Sequence, residues 1–277
     1  MKRIRSARKR PLLTQLVERG IFVTEDEARG WIMTGQVLVN DQVVDKPGML
    51  VPLDAVFRVL RRHRYASRGG YKLEAALRYF SVEVTGRVAL DSGASTGGFT
   101  DCLLQNGAAL VYAVEVGYGQ LLGRLRIDSR VHNLERTNLS DMITRRLDPS
   151  PTLITLDLSY LSLTKALPIA ATLLAPRGDV LALLKPLFEV ESAVARRTGQ
   201  VEDPALLVAA LYNVLDAGKK VELVPQGAAK LALQPRHGVN EFFVYFSRGT
   251  DSEYWEYNEA TLINIVGNSG IGSIEEE

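Results

Sequence analysis

Length, composition and charge set the first limits on this chain. Its 277 residues, 46% of them hydrophobic, suffice for one large domain and one small domain. The net charge is +1, yet residues 1–72 contain 15 Lys or Arg against 7 Asp or Glu, and the remainder contains 18 against 25. This asymmetry indicates an anionic partner for the N-terminal end, the alternative being a solvated basic surface.

The cysteine, histidine and hydropathy patterns exclude several classes of protein. A single cysteine, Cys102, cannot form an internal disulfide and is typical of the reducing cytoplasm. No apolar stretch approaches the roughly 18 residues of a membrane span, and the basic N-terminus lacks the apolar core of a secretory signal. The histidines are scattered and no Cys/His cluster exists, so we expect no metal site. We therefore predict a cytoplasmic protein without membrane contact.

Two helices are predicted near the N-terminus. Pro11 can begin the first helix, which ends at Gly20. Thr24 with Glu27 three residues later has the spacing of a capping box, which predicts the start of the second helix.

Short strands follow these helices. A pair around an Asn-Asp turn is predicted over residues 37–44, and a last strand over 55–60. Six of the first ten residues are Lys or Arg, which indicates a mobile basic arm. We therefore predict a small α+β domain over residues 1–60, with that arm, and a linker over 61–68.

Apolar strands alternate with helical segments from residue 69 onward. Such alternation predicts an α/β fold with a mostly parallel, doubly wound sheet and helices on both faces. The last two strands are joined by a loop with no clear helix, so we expect an antiparallel pair at one edge. The predicted strands are 87–91, 110–116, 131–134, 152–158, 178–184, 220–224 and 241–246, and the helices include 98–106, 119–127, 162–174 and 203–217.

The C-terminal end has a different composition. Residues 250–277 contain seven acidic residues and no Lys or Arg, which predicts a disordered acidic tail. The second domain is therefore predicted over residues 69–249.

The stretch Asp-Ser-Gly-Ala-Ser-Thr-Gly-Gly-Phe, residues 91–99, is the most informative part of the sequence. It joins a predicted strand to a predicted helix through small residues, which lets a ligand approach the backbone closely. Glu115 ends the next apolar run, 24 residues after Asp91, a spacing that suits a carboxylate bonded to a ribose. The stretch lacks the phosphate-binding glycine patterns and any lysine, so a nucleoside without phosphates fits better. S-adenosylmethionine is the common ligand of this kind. The alternative interpretation is a glycine-rich turn that binds no ligand.

The predicted cofactor site extends beyond this stretch. Asn138 heads the loop after the third strand, where we expect it to lie near the adenine. The predicted cofactor-binding residues are Asp91, Gly93, Ala94, Ser95, Thr96, Gly97, Gly98, Phe99, Glu115 and Asn138.

Four charged residues stand where strand ends of the predicted sheet can bring them together. Asp157 and Lys185 each end an apolar run, Glu241 opens the final strand, and Lys72 lies on the helix before the first strand. Burial of a lysine there, and a second lysine nearby, favour the neutral amine, whereas Asp157 opposes that. A neutral amine can take a proton from a hydroxyl as a methyl group arrives. Each of the four alone is an ordinary polar residue at a strand end, but their coincidence predicts a site.

Several motifs make the chain similar to a known family. They include Leu-Val-Glu-Arg-Gly at 16–20, Ser-Arg-Gly-Gly-Tyr-Lys-Leu-Glu at 67–74, Gly-Ala-Ser-Thr-Gly-Gly-Phe-Thr-Asp at 93–101, Val-Gly-Tyr-Gly-Gln-Leu at 116–121 and Lys-Pro-Leu-Phe-Glu at 185–189. Over residues 11–247 the chain resembles the TlyA family, whose members are known as hemolysins or ribosomal RNA methyltransferases. They join an RNA-binding module like that of ribosomal protein S-four to an FtsJ-like methyltransferase.

The resemblance implies a Rossmann-like class I methyltransferase sheet and S-adenosylmethionine as the cofactor. It also implies 2′-O-methylation of a ribose in ribosomal RNA, either free or in ribosomal subunits. FtsJ-like enzymes use a Lys-Asp-Lys-Glu tetrad, which by resemblance falls on Lys72, Asp157, Lys185 and Glu241. Lys185 is then the central catalytic lysine, Asp157 and Lys72 tune and position it, and Glu241 orients the ribose.

The basic N-terminal end is the predicted RNA-binding surface. Phosphate contacts by Lys and Arg would supply most of the affinity for RNA. Three positions of this module depart from the family: Pro11 stands where the family has Arg, Leu13 where it has Asp, and Glu25 where it has Arg at the start of the second helix. The predicted RNA-binding residues are Arg3, Arg5, Arg8, Lys9, Arg10, Arg61, Arg62, Arg64 and Arg68.

Two other functions compete with RNA methylation. The first is an RNA-binding scaffold whose methyltransferase domain has lost turnover. The altered RNA-facing positions keep it open, as do Ser92, where the family usually has Ile, and Glu115, where it usually has Asp. The second is a cytolysin, as one family name suggests, but no apolar or amphipathic span in the sequence supports insertion into a bilayer.

Overall fold

The computed structural model describes residues 8–22, 24–33, 35–60, 64–232, 239–249 and 254–271. The chain forms two compact units, Met1–Arg64 and Tyr65–Glu277. The boundary falls inside the predicted linker because Tyr65 is 1% exposed and packs in the core of the second unit. Residues 65–68 thus belong to the second unit rather than to a linker.

The first unit packs two helices and short antiparallel strands around its own core. Leu12, Leu16 and Ile32 are fully buried because they recur on the inner faces of the helices. Asn40 and Asp41 have φ angles of 51° and 64°, the left-handed geometry of a two-residue hairpin turn. The elements are β1 (Lys9–Pro11), α1 (Leu12–Glu18), α2 (Glu25–Met33), β2 (Val37–Val39), β3 (Gln42–Val43), β4 (Leu50–Pro52) and β5 (Phe57–Val59). β1 pairs with β4, and β3, β2 and β5 form a three-stranded sheet.

A seven-stranded sheet forms the centre of the second unit. Its elements are α3 (Arg68–Tyr79), β6 (Val88–Ser92), α4 (Gly98–Gln105), β7 (Leu110–Val114), α5 (Gly123–Arg126), β8 (Val131–Leu134), β9 (Leu153–Leu156), α6 (Leu163–Leu173), β10 (Gly178–Leu184), α7 (Ala193–Thr198), α8 (Pro204–Lys219), β11 (Val224–Lys230), β12 (Phe242–Arg248) and α9 (Glu259–Gly267). The strand order is β11-β12-β10-β9-β6-β7-β8. The strands from β10 to β8 are parallel, and β12 runs antiparallel to both of its neighbours. The predicted α/β class and antiparallel edge are confirmed.

Continuous apolar runs form the inner strands because both faces of the sheet are covered. Leu90 and Ile154 pack in the cluster that includes side chains of α6 and α8. Their chain neighbours Ala89 and Leu153 point to the opposite face and pack with α3 and α4. Each strand of this kind ends where polar residues begin, which places the functional loops at the carboxyl edge of the sheet.

One predicted strand is wrong in position. The expected strand at 220–224 is a turn after α8, and the strand runs instead over Val224–Lys230. Leu223 is fully buried, and its N–H donates to the Gly218 oxygen over 3.0 Å. The apolar residues of this turn therefore fill the core without joining the sheet. The helix expected over 119–127 is likewise shorter, since only Gly123–Arg126 is helical.

The expected disordered tail, 250–277, contains a helix that packs on the domain. Asn258 caps α9, its Oδ1 accepting from the Thr261 N–H over 2.9 Å. Leu262 and Val266 are 1% and 8% exposed and join the core beside α8. The acidic composition of the segment indicated disorder, but Leu262 and Val266 are four positions apart and therefore lie on the same, buried face of the helix. Residues 250–253 and 272–277 lie outside the described residues.

Candidate active site

The loop after β6 turns sharply between strand and helix. Gly93, Ser95 and Gly97 have φ angles of 87°, 48° and 97°, in the left-handed region that favours glycine. A Cβ on Gly93 would meet the carbonyl of Asp157, and one on Gly97 would meet the side chains of Leu121 and of Leu125 on α5. The glycines therefore let this loop lie close to its neighbours, and Ser95 and Thr96 are its exposed residues.

Glu115, just after β7, fastens this loop. Its two carboxylate oxygens accept hydrogen bonds from the N–H groups of Ser95, over 2.9 Å, and Gly117, over 2.7 Å. The residue is 8% exposed. Each carboxylate oxygen has a second lone pair, so this pairing is compatible with acceptance of a further hydroxyl.

Asp91 lies beneath the loop rather than at its surface. It is fully buried, and its carboxylate accepts from the hydroxyls of Thr100, over 2.7 Å, and Thr155, over 3.1 Å. Burial raises the pKa of Asp91 to about 7, the two hydroxyls oppose that rise, and the charge of Asp157 adds to it. Both carboxylate oxygens thus have partners within the domain, Thr100 on α4 and Thr155 on β9, and contact of Asp91 with the cofactor stays a prediction.

Other predicted cofactor residues divide between core and surface. Phe99 is 3% exposed and its ring stacks on Phe243 at a centroid distance of 6.0 Å, so its side chain belongs to the core. Ala94 is also buried, whereas Ser95 and Thr96 are exposed. Asn138 is exposed at the head of the short helix Leu139–Thr144, where its N–H donates to Asp141 over 2.9 Å.

Tyr160 is a neighbour of this region that the sequence did not reveal. Its hydroxyl accepts from the Leu139 N–H over 3.4 Å. Burial, together with the charges of Glu115 and Asp141, raises the pKa of Tyr160. No motif marked it, because its place depends on how two loops from different strands meet.

The structure brings the four predicted strand-end residues together as two ion pairs. Lys185 Nζ lies 2.5 Å from Asp157 Oδ1, and Lys72 Nζ lies 2.5 Å from Glu241 Oε2. All four side chains are between 11% and 22% exposed. The pairs are thus mostly shielded from bulk water, and this shielding strengthens their electrostatic interaction.

Sheet register brings the two pairs to one place. Leu184 at the end of β10 is paired with Phe242 at the start of β12. Lys185 follows that rung and Glu241 precedes it, so both emerge at the same edge of the sheet. Asp157 follows the neighbouring strand β9, and its N–H donates to the Ser92 oxygen over 2.9 Å.

Two further residues support Lys185. Ser159 Oγ accepts from Lys185 Nζ over 2.9 Å. Glu189, at the end of the Lys-Pro-Leu-Phe-Glu motif, accepts from the Ser162 hydroxyl over 2.6 Å and the Leu163 N–H over 2.8 Å. These bonds attach the segment after Lys185 to the start of α6, and burial raises the pKa of Glu189.

The predicted RNA-binding residues are only partly described. Arg8, Lys9, Arg64 and Arg68 are exposed. Arg10 is also exposed, but its guanidinium forms two 2.7 Å hydrogen bonds with Glu18, which compensates its charge. Four of the predicted residues, Arg3, Arg5, Arg61 and Arg62, lie outside the described residues.

Comparison with protein families agrees with this geometry. Residues 65–248, two thirds of the chain, match the family described as FtsJ-like methyltransferase. The chain belongs to the FtsJ-like methyltransferase family. Residues 10–56 match the S4 domain, so the small N-terminal unit is of that type.

Individual relatives extend the match over most of the chain. YqxC of Bacillus subtilis, named as a candidate rRNA methyltransferase, is 38% identical over 94% of both chains. The 16S/23S rRNA (cytidine-2′-O)-methyltransferase TlyA of Mycobacterium tuberculosis is 35% identical over 88% of this chain and 92% of its own. A solved structure of a candidate hemolysin from Streptococcus thermophilus is 32% identical, with a TM-score of 0.67 and coverage of 95% and 96%. The resemblance to the TlyA family is confirmed.

One relative carries a hemolysin name, which makes membrane-spanning potential relevant. Among the helices in the described part of the chain, none combines the length and hydropathy that crossing a bilayer requires.

Proposed function

We propose that this protein methylates the 2′-hydroxyl of a ribose in ribosomal RNA. The proposal rests on one observation: the ion pairs Lys185–Asp157 and Lys72–Glu241 lie together at adjacent strand ends of an FtsJ-like domain. The name of the mycobacterial relative specifies cytidine 2′-O-methylation of 16S and 23S rRNA, which supports the same reaction class here.

The loop after β6 fits S-adenosylmethionine better than a phosphorylated nucleotide. Residues 93–98 contain no Lys or Arg that would neutralise a phosphate, and Glu115, whose carboxylate fastens the loop, would repel one. We assign the ribose hydroxyls of the cofactor to Glu115 and the adenine to the neighbourhood of Asn138. When bound, S-adenosylmethionine supplies an electrophilic methyl group.

Lys185 is the residue we assign to the proton of the reacting hydroxyl. As the bond from the 2′-oxygen to the methyl carbon forms and the bond from sulfur to that carbon breaks, the hydroxyl proton must leave. The Lys185 amine takes it up, and Asp157 at 2.5 Å together with Ser159 at 2.9 Å stabilises the resulting ammonium.

Lys72 and Glu241 are assigned to orientation of the ribose. Glu241 holds Lys72 at 2.5 Å and still has a second carboxylate oxygen with which to accept a ribose hydroxyl. Because Glu241 and Lys185 flank the same rung of the sheet, a ribose bonded to one is close to the other. This arrangement holds the reacting oxygen near Lys185, which lowers the entropy cost of reaction.

The N-terminal S4-type unit is the part we assign to RNA affinity. Arg8 and Lys9 are exposed and can contact RNA phosphates directly. Arg10 can do so only after its hydrogen bonds to Glu18 break. Because the substrate is ribosomal RNA, we place the reaction in the cytoplasm, on free RNA or on ribosomal subunits.

A direct assay tests the proposal. The full chain is incubated with S-adenosylmethionine labelled at the methyl group and with ribosomal subunits or naked ribosomal RNA. We expect label at one or a few ribose positions, recognised because a 2′-O-methyl group blocks alkaline cleavage of the adjacent phosphodiester. Cofactor and RNA binding without transfer to either substrate would identify a binding scaffold instead.

A further inference from the structure

The C-terminal segment returns to the edge of the active site. Ile271 forms a parallel bridge with Leu231, just beyond the end of β11. The Ile271 N–H donates to the Lys230 oxygen over 2.7 Å, and the Ile271 oxygen accepts from the Ala232 N–H over 2.8 Å. One residue of the C-terminal segment therefore holds the three consecutive residues at the end of β11 and just after it.

The other end of this segment is anchored in the core. Leu262 and Val266 of α9 are buried beside α8, and Trp255 and Tyr257 pack against the same cluster. Lys230 Nζ donates to the Val266 oxygen over 3.1 Å at the C-terminal end of α9. The segment 254–271, which we call the C-terminal brace, thus joins the core of the domain to the end of β11.

The brace connects to Glu241 through a single strand residue. The Leu231 N–H donates to the Glu241 backbone oxygen over 2.9 Å. Glu241 in turn holds Lys72 through its side chain. A continuous set of hydrogen bonds therefore runs from Ile271 through residues 230–232 to Glu241 and its partner.

We propose that the C-terminal brace is a positioning element for Glu241, and so for the ribose of the substrate RNA. The role rests on the proposed function, because Glu241 is assigned there to orient the ribose. Without the brace, residues 230–232 would lack the partner on their outer side, and the end of β11 would fray as strand ends do. Glu241, bonded to this end, would then sample orientations that bind the ribose less well.

Gly270 offers a single substitution that disturbs the brace. Its φ angle is +88°, and a Cβ there would lie 2.7 Å from the Ala232 nitrogen and 2.8 Å from the Lys230 oxygen. Both are backbone atoms, so relief requires the bridge itself to shift. Gly267, at the end of α9, is the matched control, because a Cβ there has nothing within 4 Å.

Hydrogen exchange tests the brace without relying on activity. We expect Gly270→Ala to increase amide exchange in the peptides covering residues 230–232 and 241–243, while Gly267→Ala leaves it unchanged. Unchanged exchange in Gly270→Ala would overturn the proposal. Thermal unfolding of both variants shows whether the whole domain is affected.

Kinetics then tests the role in substrate positioning. We expect Gly270→Ala to raise KM for ribosomal RNA about tenfold with little change in the Kd for S-adenosylmethionine. In a Glu241→Gln background the same substitution should add little, because the brace acts through Glu241. If the effects of Gly270→Ala and Glu241→Gln on KM are additive, or if Gly270→Ala changes only the thermal stability, the brace has a structural role alone. A wild-type chain without any methyl transfer would refute the proposed function, whereas the exchange result would still decide the brace.

Discussion

The two units of this protein handle charge in opposite ways. In the first unit the described candidate RNA-binding residues are exposed, and the Arg10–Glu18 pair leaves both side chains about half accessible, at 47% and 48%. In the second unit the four candidate catalytic side chains are at most 22% exposed and joined in two ion pairs. Exposed cations suit a polyanion that binds through many weak contacts, whereas proton transfer needs a few groups in fixed geometry.

The difference extends to the cores beneath the charges. The first unit builds its core from strands of two or three residues and two short helices. The second unit buries both faces of a seven-stranded sheet. A large rigid scaffold can hold side chains to within a fraction of an ångström, which catalysis requires and phosphate contact does not. The comparison predicts that substitutions in the second unit change turnover and that changes in the first unit alter affinity and its dependence on salt.

Removal of the Lys185 amine is expected to have the largest effect. Lys185→Ala should lower kcat for methyl transfer by about 10²- to 10⁴-fold, the contribution typical of a positioned acid or base. The Kd for S-adenosylmethionine should stay close to that of the wild type. Lys165→Ala, an exposed lysine on α6, is the control and should retain normal turnover. Near-normal turnover of Lys185→Ala between pH 6 and 9 would contradict the assignment.

Deletion of residues 1–60 should change how RNA affinity depends on salt. For every phosphate that the shortened protein no longer binds, the slope of log K against log salt concentration should decrease by about 0.9 for a duplex or about 0.7 for a single strand. Titration of ribosomal RNA at several salt concentrations measures that slope. An unchanged slope in the shortened protein, with its cofactor affinity intact, would mean that the second unit binds RNA alone.

Replacement of Glu115 tests the cofactor site. Glu115→Ala should weaken S-adenosylmethionine binding by about tenfold or more, because a hydrogen bond to a charged acceptor contributes about 1.5–3 kcal/mol. Calorimetry on the variant, with the exposed Glu83→Ala as the control, measures the change. An unchanged Kd would remove the assignment of the ribose hydroxyls to this carboxylate.

The buried carboxyl of Asp91 should affect the stability of the protein rather than its activity. Its pKa is raised from 3.8 in the unfolded chain to about 7 in the folded protein. Between these values the folded protein holds a proton that the unfolded chain has released. The free energy of unfolding should therefore fall as pH rises through this range, by at most about 1.4 kcal/mol per pH unit, and level off above pH 7.

Asp91→Asn should remove this pH dependence because the amide stays neutral. Urea unfolding of both proteins at pH 5, 6, 7 and 8 is the measurement, and the difference between them isolates residue 91 from all other titrating groups. We expect the variant to gain stability relative to the wild type as pH rises toward 7. A difference that does not vary with pH would show that Asp91 titrates normally.

The sequence predicted features that depend on neighbours along the chain and missed those that depend on distant contacts. Apolar runs located most strands of the sheet, and the polar residues at their ends identified Asp157 and Lys185. Periodicity could not show that Lys72 pairs with Glu241, 169 residues away, although the family motif brought them into one tetrad. It also could not show that Asp91 lies under the loop, because that depends on Thr155 from another strand.

Two predictions were wrong because they relied on the composition of a segment rather than on the spacing of its apolar residues. The seven acidic residues after position 250 indicated disorder, yet Leu262 and Val266 are four residues apart and bury one face of a helix. In the same way, the apolar residues before β11 indicated a strand, but they lie in a turn and their side chains pack in the core without joining the sheet. Both errors arise because burial is decided by the partner surface, here α8 and the sheet, and not by the segment alone.

The reversed direction of β12 has a consequence for how such proteins can diversify. Seven consecutive rungs, from Gly178 paired with Arg248 to Leu184 paired with Phe242, fix the register of β12 against β10. A slip by one residue would exchange the two faces of the strand, so the register is strongly determined. We therefore expect insertions in the connection between β11 and β12 to leave Glu241 in place.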